Sequence, residues 1–494
     1  MSGVTRRLVL AGLAAGAVSP VWGEAVTSSP RPRPREAAFP TLPDTGAASA
    51  GPGELGDLVV AARLGGISGF AVAEVATGRI LEAVNETALL PPASVAKTLT
   101  ALYGLERLGP SHRFRTEVLA VGAIVGGTLQ GDLVLAGGGD PTLDSDKLGD
   151  LAASLAGAGV RRITGRYLAY AGALPSFERI TTDQPVQVGY NPGLSGLGLN
   201  FNRVNFEWTK GGATTQMNGR GERFVPVVKM ARMEVVDREA PLFDYRMGPG
   251  TEQWTVARGA LRAAGSRWLP VRQVAPYVAE VFQTLCAAQG IQLPAPQVVQ
   301  VMPAGARRIV SWQSDDLTTI LRQMLRFSTN ITAETVGLSA SGARDLAGSA
   351  KAVQDWATAR LGLQAHLVDH SGLGAASRVT AGGMMRALAA GDRALNLRPM
   401  LRNIGMRDEA GKVVKGSPVA VVGKSGTLNF VSGLVGFIEP VGGQDLVFAI
   451  FSADVPRREA VPLAEREDPP GEHGWVGRAH LMQARLIARW AGMV

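Results

Sequence analysis

The chain has 494 residues, 46% of them hydrophobic, and a formal net charge of +8, which suits a large core divided among about two to four domains. Its 42 acidic residues are dispersed among 50 basic ones with no basic block after the N-terminus, so nucleic acid is not indicated as a partner. The single cysteine, Cys286, excludes an intramolecular disulfide and a lipid-modified N-terminal cysteine, and the five histidines lack any H-E-x-x-H spacing that would point to zinc.

In chain order, Thr5-Arg6-Arg7 precedes an apolar run from Leu8 to Val18 that is too short to span a bilayer. Residues 1–25 therefore read as an export signal of twin-arginine type, although the usual phenylalanine and lysine after the arginines are missing. The Pro/Arg-rich stretch 26–53 reads as a linker, and no later stretch is long and apolar enough for a membrane helix. Ile67–Val75 and Arg79–Val84, joined by Ala76-Thr77-Gly78, predict a β-hairpin. Val95, Leu99, Leu102 and Leu105 recur at helical spacing and predict a buried helix that ends near Gly109-Pro110. Strands are expected over Phe114–Val121, Leu129–Ala136 and Arg162–Tyr170, with a helix over Asp144–Ala156 between the last two. Residues 172–262 have poor periodicity and resist assignment. Helical patterns resume at Val278, Leu317, Ile331, Lys351 and Gly382. The helix from Leu317 has Ser314 as its expected N-cap. Strands are expected at Val419–Val422, Val431–Ile438 and Leu446–Ala453, followed by a helix over Trp475–Ala491.

Three short motifs carry chemistry. Ser94-Val-Ala-Lys97 puts a hydroxyl and an amine on one face of the predicted helix, three residues apart. The amine can take the serine's proton, which a serine nucleophile needs, and the helix N-terminus suits a developing oxyanion. Ser328-Thr329-Asn330 falls between two helices; its hydroxyl can relay a proton and its amide can fix a carbonyl or a lysine. Lys424-Ser425-Gly426-Thr427 lies between two strand patterns. Lys424, Ser425 and Thr427 suit a carboxylate, and Gly426 leaves room for a substrate backbone. Taken singly, the first and third motifs are better read as a helix cap with a solvated lysine and as a solvated strand end, and the second fits an ordinary capping loop.

In this order the three motifs resemble the S-x-x-K, S-D-N and K-T-G set of penicillin-binding proteins and serine β-lactamases, with Thr329 in the middle of the second and Ser425 in place of threonine in the third. Ser94 and Ser328 are 234 residues apart, an interval that resembles the D-alanyl-D-alanine carboxypeptidase/endopeptidases of the low-molecular-mass class C penicillin-binding proteins. Gly131–Leu143, Leu108–Thr116 and Asp369-His-Ser-Gly-Leu373 are similar to that family as well, except that His370 replaces a usual glycine.

The resemblance implies an α+β fold: a β-lactamase/transpeptidase-like domain over 54–115 and 312–494, an inserted domain over 116–171 and 263–311, and a third nested at 172–262. It implies a peptidoglycan stem peptide as substrate and β-lactam antibiotics as covalent inhibitors. The expected site is Ser94 as nucleophile, Lys97 as its base, Ser328 as proton relay to the leaving amine and Asn330 as peptide orienter. Lys424, Ser425 and Thr427 would hold the terminal carboxylate, with the N–H groups of Ser94 and Thr427 at the oxyanion. No cofactor or metal is implied, and the setting is the periplasm, with room for peripheral association with membrane or wall. The alternatives are a serine β-lactamase or esterase of the same fold, or a wall-binding protein with a vestigial site. Rapid penicillin turnover marks the first, and wall binding without penicillin labelling marks the second.

Overall fold

The computed structural model describes residues 54–407, 412–414 and 416–493. The export signal and linker expected over 1–53 lie outside them. Among the described residues no helix is long and apolar enough to cross a membrane.

The part of the fold that carries the motifs is a six-stranded antiparallel sheet. Its order is Arg402–Asn403, Val419–Leu428, Val431–Pro440, Leu446–Ala453, Ile67–Glu74 and Ile80–Val84. The predicted hairpin and the late strands thus meet in one sheet. All eight residues of Leu446–Ala453 are buried, because both faces of the sheet are covered. The strand period of two sorts side chains cleanly between the faces. Phe70, Val72, Phe448 and Ile450 pack with Leu55, Trp475 and Trp490 of the flanking helices Glu54–Ala62 and Glu472–Ala491. Ala71, Ala73, Val447, Ala449 and Phe451 face the other way, onto Val95, Leu99 and Leu102 of the first motif's helix and its neighbours.

A second sheet runs in the order Pro296–Val299, Tyr167–Tyr170, Thr128–Gly137, Arg115–Val125 and Arg307–Gln313. The helices Ser145–Gly157 and Val274–Ala288 share a core with it. The unassigned middle holds two three-stranded sheets. One joins Gly265–Pro270, Arg203–Trp208 and Thr215–Asn218; the other joins Phe243–Gly248, Thr251–Ala257 and Ala231–Val236.

Two local expectations need correction. Arg162–Tyr170 is two strands, Arg162–Ile163 and Tyr167–Tyr170. At Gly165 a Cβ would come within 2.4 Å of the Asp132 carboxylate, which accepts the Arg166 N–H at 2.7 Å and breaks the run. The helix Leu317–Phe327 is capped by Asp316, whose carboxylate accepts the Thr319 N–H at 2.9 Å. Ser314 instead accepts the Phe114 N–H at 2.9 Å and ties the helix to the preceding segment. The strand Gly265–Pro270 pairs with Arg203–Trp208, so the middle sheet extends beyond residue 262. Cys286 is buried in its helix, and burial pushes its thiol well above the usual range.

Candidate active site

Ser94 sits on a single 3-10 turn, Ala93–Ala96, that runs directly into the helix Lys97–Leu108. Ala93 enters that turn with φ +46°, a left-handed conformation that costs a non-glycine residue about 1 kcal/mol or more. The turn is therefore held by its surroundings. One brace is the strand Val419–Leu428. A Cβ on Gly426 would lie 2.7 Å from the Ser94 nitrogen and 2.9 Å from both the Pro92 carbonyl and the Val95 nitrogen. Gly426, expected to leave room for a substrate backbone, also leaves room for the protein's own nucleophile turn. A second brace is Gly372, φ +73°, where a Cβ would meet the Ala93 carbonyl at 1.8 Å.

Helical spacing brings Lys97 under Ser94, with Nζ 2.9 Å from Ser94 Oγ. Nζ also lies 2.7 Å from Asn330 Oδ1 and 2.7 Å from the Ser371 carbonyl. Lys97 is fully buried, and desolvation lowers its pKa to about 7, against the opposing pull of Asp369 and Glu334. A neutral amine has two N–H groups and one lone pair. Two of its three neighbours are carbonyl oxygens, which only accept, so they take the two N–H groups. Ser94 is the one partner with a proton to give, and the lone pair faces it.

The Asn330 amide can turn only one way. Its Nδ2 donates to the Tyr190 carbonyl at 2.9 Å, which leaves Oδ1 for Lys97. Asn330 opens the helix Asn330–Ser341, and Ser328 closes the one before it in the left-handed conformation, φ +60°. That turn aims Ser328 Oγ at the third motif, where Lys424 Nζ donates to it at 3.0 Å and to the Ser425 carbonyl at 2.5 Å. Lys424 is 2% exposed. Burial, then Lys97 and Arg402, push its ammonium well below the usual lysine range.

Ser94, Ser328, Asn330 and Thr427 line a cavity of about 270 Å³. Ser425 faces a neighbouring cavity, shared at Thr427, and its Oγ accepts from Arg402 at 2.9 Å. Residues of all three motifs therefore meet at one cavity, while Ser425 faces the adjoining one.

Several residues at the site had no signal in the sequence. Tyr190 belongs to the unassigned middle, in a Gly-Tyr-Asn-Pro-Gly turn that gives no hint of what it reaches. Arg402 lies on a two-residue edge strand. Arg458 lines the cavity, is 4% exposed, and keeps Nη2 without a hydrogen-bond partner. Asp369-His-Ser-Gly-Leu373 carries a family similarity in its sequence, whereas its contact with Lys97 runs through a backbone carbonyl that no side-chain pattern reveals. Among the described residues no group of His, Cys, Asp or Glu is placed to hold a metal.

Residues 54–468 match the D-Ala-D-Ala carboxypeptidase 3 (S13) family. A D-alanyl-D-alanine carboxypeptidase of Actinomadura sp. is 27% identical over 420 residues, covering 78% of this chain and 77% of the relative. A carboxypeptidase of Mycobacterium tuberculosis is 27% identical over 457 residues, covering 86% of this chain and 84% of the relative. Among solved structures, penicillin binding protein 4 from Haemophilus influenzae matches with a TM-score of 0.72 at 18% identity, over 89% of this chain and 99% of that one. The likeness shows that the chain shares the fold of that structure.

Proposed function

The chain belongs to the D-Ala-D-Ala carboxypeptidase 3 (S13) family and is a serine-type hydrolase of peptidoglycan peptides; from that premise we propose that it cleaves D-Ala-D-Ala termini and D-alanyl cross-links through an acyl-enzyme on Ser94. The observation that carries this is the Lys97 environment, in which Nζ lies within hydrogen-bond distance of Ser94 Oγ and of two carbonyl oxygens, so that in the neutral amine the two carbonyls take the N–H groups and the lone pair falls to Ser94.

In this reading the terminal carboxylate of the stem peptide sits at Thr427 and Ser425, near the Lys424 and Arg402 cations, and Asn330 orients the peptide. Lys97 takes the Ser94 proton as Oγ attacks the carbonyl carbon. The N–H groups of Ser94 and Thr427 stabilise the oxyanion. Ser328, bonded to Lys424, relays the proton that Lys97 took from Ser94 on to the leaving amine, and the C–N bond breaks. Water then releases the acyl group. General acid–base steps of this kind contribute about 10²–10⁴ in rate. A β-lactam carries a carboxylate and a strained amide in the same relation, so it acylates Ser94 and is held there. We also assign the protein to the periplasm through residues 1–25. Three units, divided near 115/312 and 171/263 with the nested one extending to about 270, are favoured by the separate sheets.

The test is to incubate the protein, beside its Ser94→Ala variant, with intact peptidoglycan and to separate the muropeptides by mass. Loss of terminal D-alanine, or conversion of cross-linked dimers to monomers, is expected only with the unaltered enzyme. No change with either protein would overturn the reading. Rapid penicillin turnover instead of a stable adduct would establish the β-lactamase alternative.

A further inference from the structure

Beneath Lys97 lies a second layer of ionisable groups that the mechanism above leaves unused. Glu334 is 0% exposed, and Asp369, His370 and Ser371 are at most 1% exposed. Glu334 sits one helical turn after Asn330, so the two side chains project from the same face of the helix Asn330–Ser341. Its carboxyl group grips two successive backbone amides: Ser371 N–H at 2.8 Å on Oε1 and His370 N–H at 3.1 Å on Oε2. Asp369 does the same a few residues on, accepting from Gly372 and Gly374 at 2.6 Å each. Thr100, one turn along the nucleophile helix from Lys97, donates to the His370 carbonyl at 2.7 Å. These bonds fix the 369–374 loop, and what the loop presents to the site is the Ser371 carbonyl that accepts from Lys97.

We propose that Glu334 is a positioning residue for the catalytic base: by clamping the His370 and Ser371 amides it holds the Ser371 carbonyl against Lys97 Nζ, and so keeps the lysine lone pair aimed at Ser94. Nucleophile, base and orienter then form a relay like that of a Ser-His-Asp triad, with the orienting carboxyl acting through a peptide group instead of directly. The helix supplies both acceptors that tie down the amine, Asn330 directly and Glu334 through the loop.

Electrostatics point the same way. Asp369 and Glu334 both oppose the desolvation of Lys97. The two carboxyls are themselves raised, mainly by burial, Glu334 to about 8 with a further push from Asp369, so Glu334 is largely protonated near neutral pH and acts on the amine through the clamped loop. The other charged neighbour is Lys424, across the cavity on its strand. The His370 ring is held neutral by burial, its pKa lowered to about 3. It lies over Gly337, where a Cβ would come within 2.2 Å of it, and its Nε2 bonds Ser349 Oγ at 2.6 Å.

The inference rests on Ser94 acylation, so the first measurement is the penicilloyl adduct on the unaltered protein by mass. Its absence there would fail the functional reading and not this one. Glu334→Gln and Glu334→Asp are then compared by acylation rate with a chromogenic β-lactam across pH. Glu334→Gln keeps the length and one acceptor but turns an NH₂ toward one of the two clamped N–H groups. Its plateau acylation rate is expected to fall at least about tenfold at nearly constant β-lactam affinity, with the acid limb in place, because Glu334, pushed up to about 8, already carries its proton there. Glu334→Asp retracts the clamp, so its plateau falls as well. Unchanged plateau rates in both variants, or a lowered Tm alone, would overturn the proposal. Should neither variant fold, Thr100→Val unties the same loop from the nucleophile helix. A fall of about threefold or more in acylation is expected there, and an unchanged rate would overturn the proposal.

Discussion

Lys97 is held close to losing its proton, and that has a measurable signature. Its folded pKa of about 7 lies below the ordinary lysine value of 10.5, so the neutral, proton-accepting form grows as pH rises through 7 and vanishes below it. Acylation by a β-lactam is therefore expected to fall about tenfold per pH unit below pH 6; a flat profile from pH 5 to 8 would contradict Lys97 as the base. Lys97→Ala should slow acylation by about 10²–10⁴ while leaving Ser94 in place. Gly426→Ala drives a methyl group into the Ser94 nitrogen and the Pro92 carbonyl. It should abolish detectable acylation, readable as a missing adduct by mass, even though Ser94 and Lys97 are both retained. At this scale the sequence was informative wherever chemistry depends on side chains a helical turn apart, as with Ser94 and Lys97. It was silent wherever a backbone group does the work: the Tyr190 and Ser371 carbonyls have no residue-type signature, because every residue carries one.

The elements that were readable are those with strong periodicity and clear stops. In the helix Leu317–Phe327 the positions Leu317, Ile320, Leu321, Met324 and Leu325 are all buried, as their spacing requires, and Leu446–Ala453 is a strand over the residues expected of a run buried on both faces. The cap of that helix was misread by two residues, since Ser, Asp and Asp all favour the position and only the fold decides that Ser314 is needed by Phe114. Asp316→Ala should cost about 1 kcal/mol of stability, measured as a lower denaturant midpoint. Because this helix ends at Ser328, acylation should weaken along with it. The middle strands escaped notice because their alternation is poor: Ala231–Val236 and Phe243–Gly248 each bury only one residue fully.

Across the whole molecule, the region 172–270 is tied to the catalytic part at the cavity. The Tyr190 carbonyl orients Asn330, Arg466 Nη1 donates to the Asp183 carbonyl at 3.1 Å, and Glu467 accepts from Gln187 Nε2 at 2.7 Å and pairs with Arg267. These are partly exposed contacts, so Glu467→Ala should cost less than about 1 kcal/mol. The same variant should still reduce the apparent affinity for a stem peptide by a few-fold, seen as a higher KM at nearly constant kcat, if the tie holds Tyr190 in place. None of this was legible beforehand, since it depends on how separately built sheets meet. The central sheet spans the chain in a further sense. Its inner pair joins Ile67–Glu74 to Leu446–Ala453, and the cavity takes residues from Ser94 to Glu472. Pairings this distant form late and slowly. Most of the polypeptide must therefore be synthesised before the nucleophile turn acquires its braces at Gly372 and Gly426. Until residue 453 has joined the sheet there is nothing for an antibiotic to trap, and a drug of this class acts on finished molecules alone.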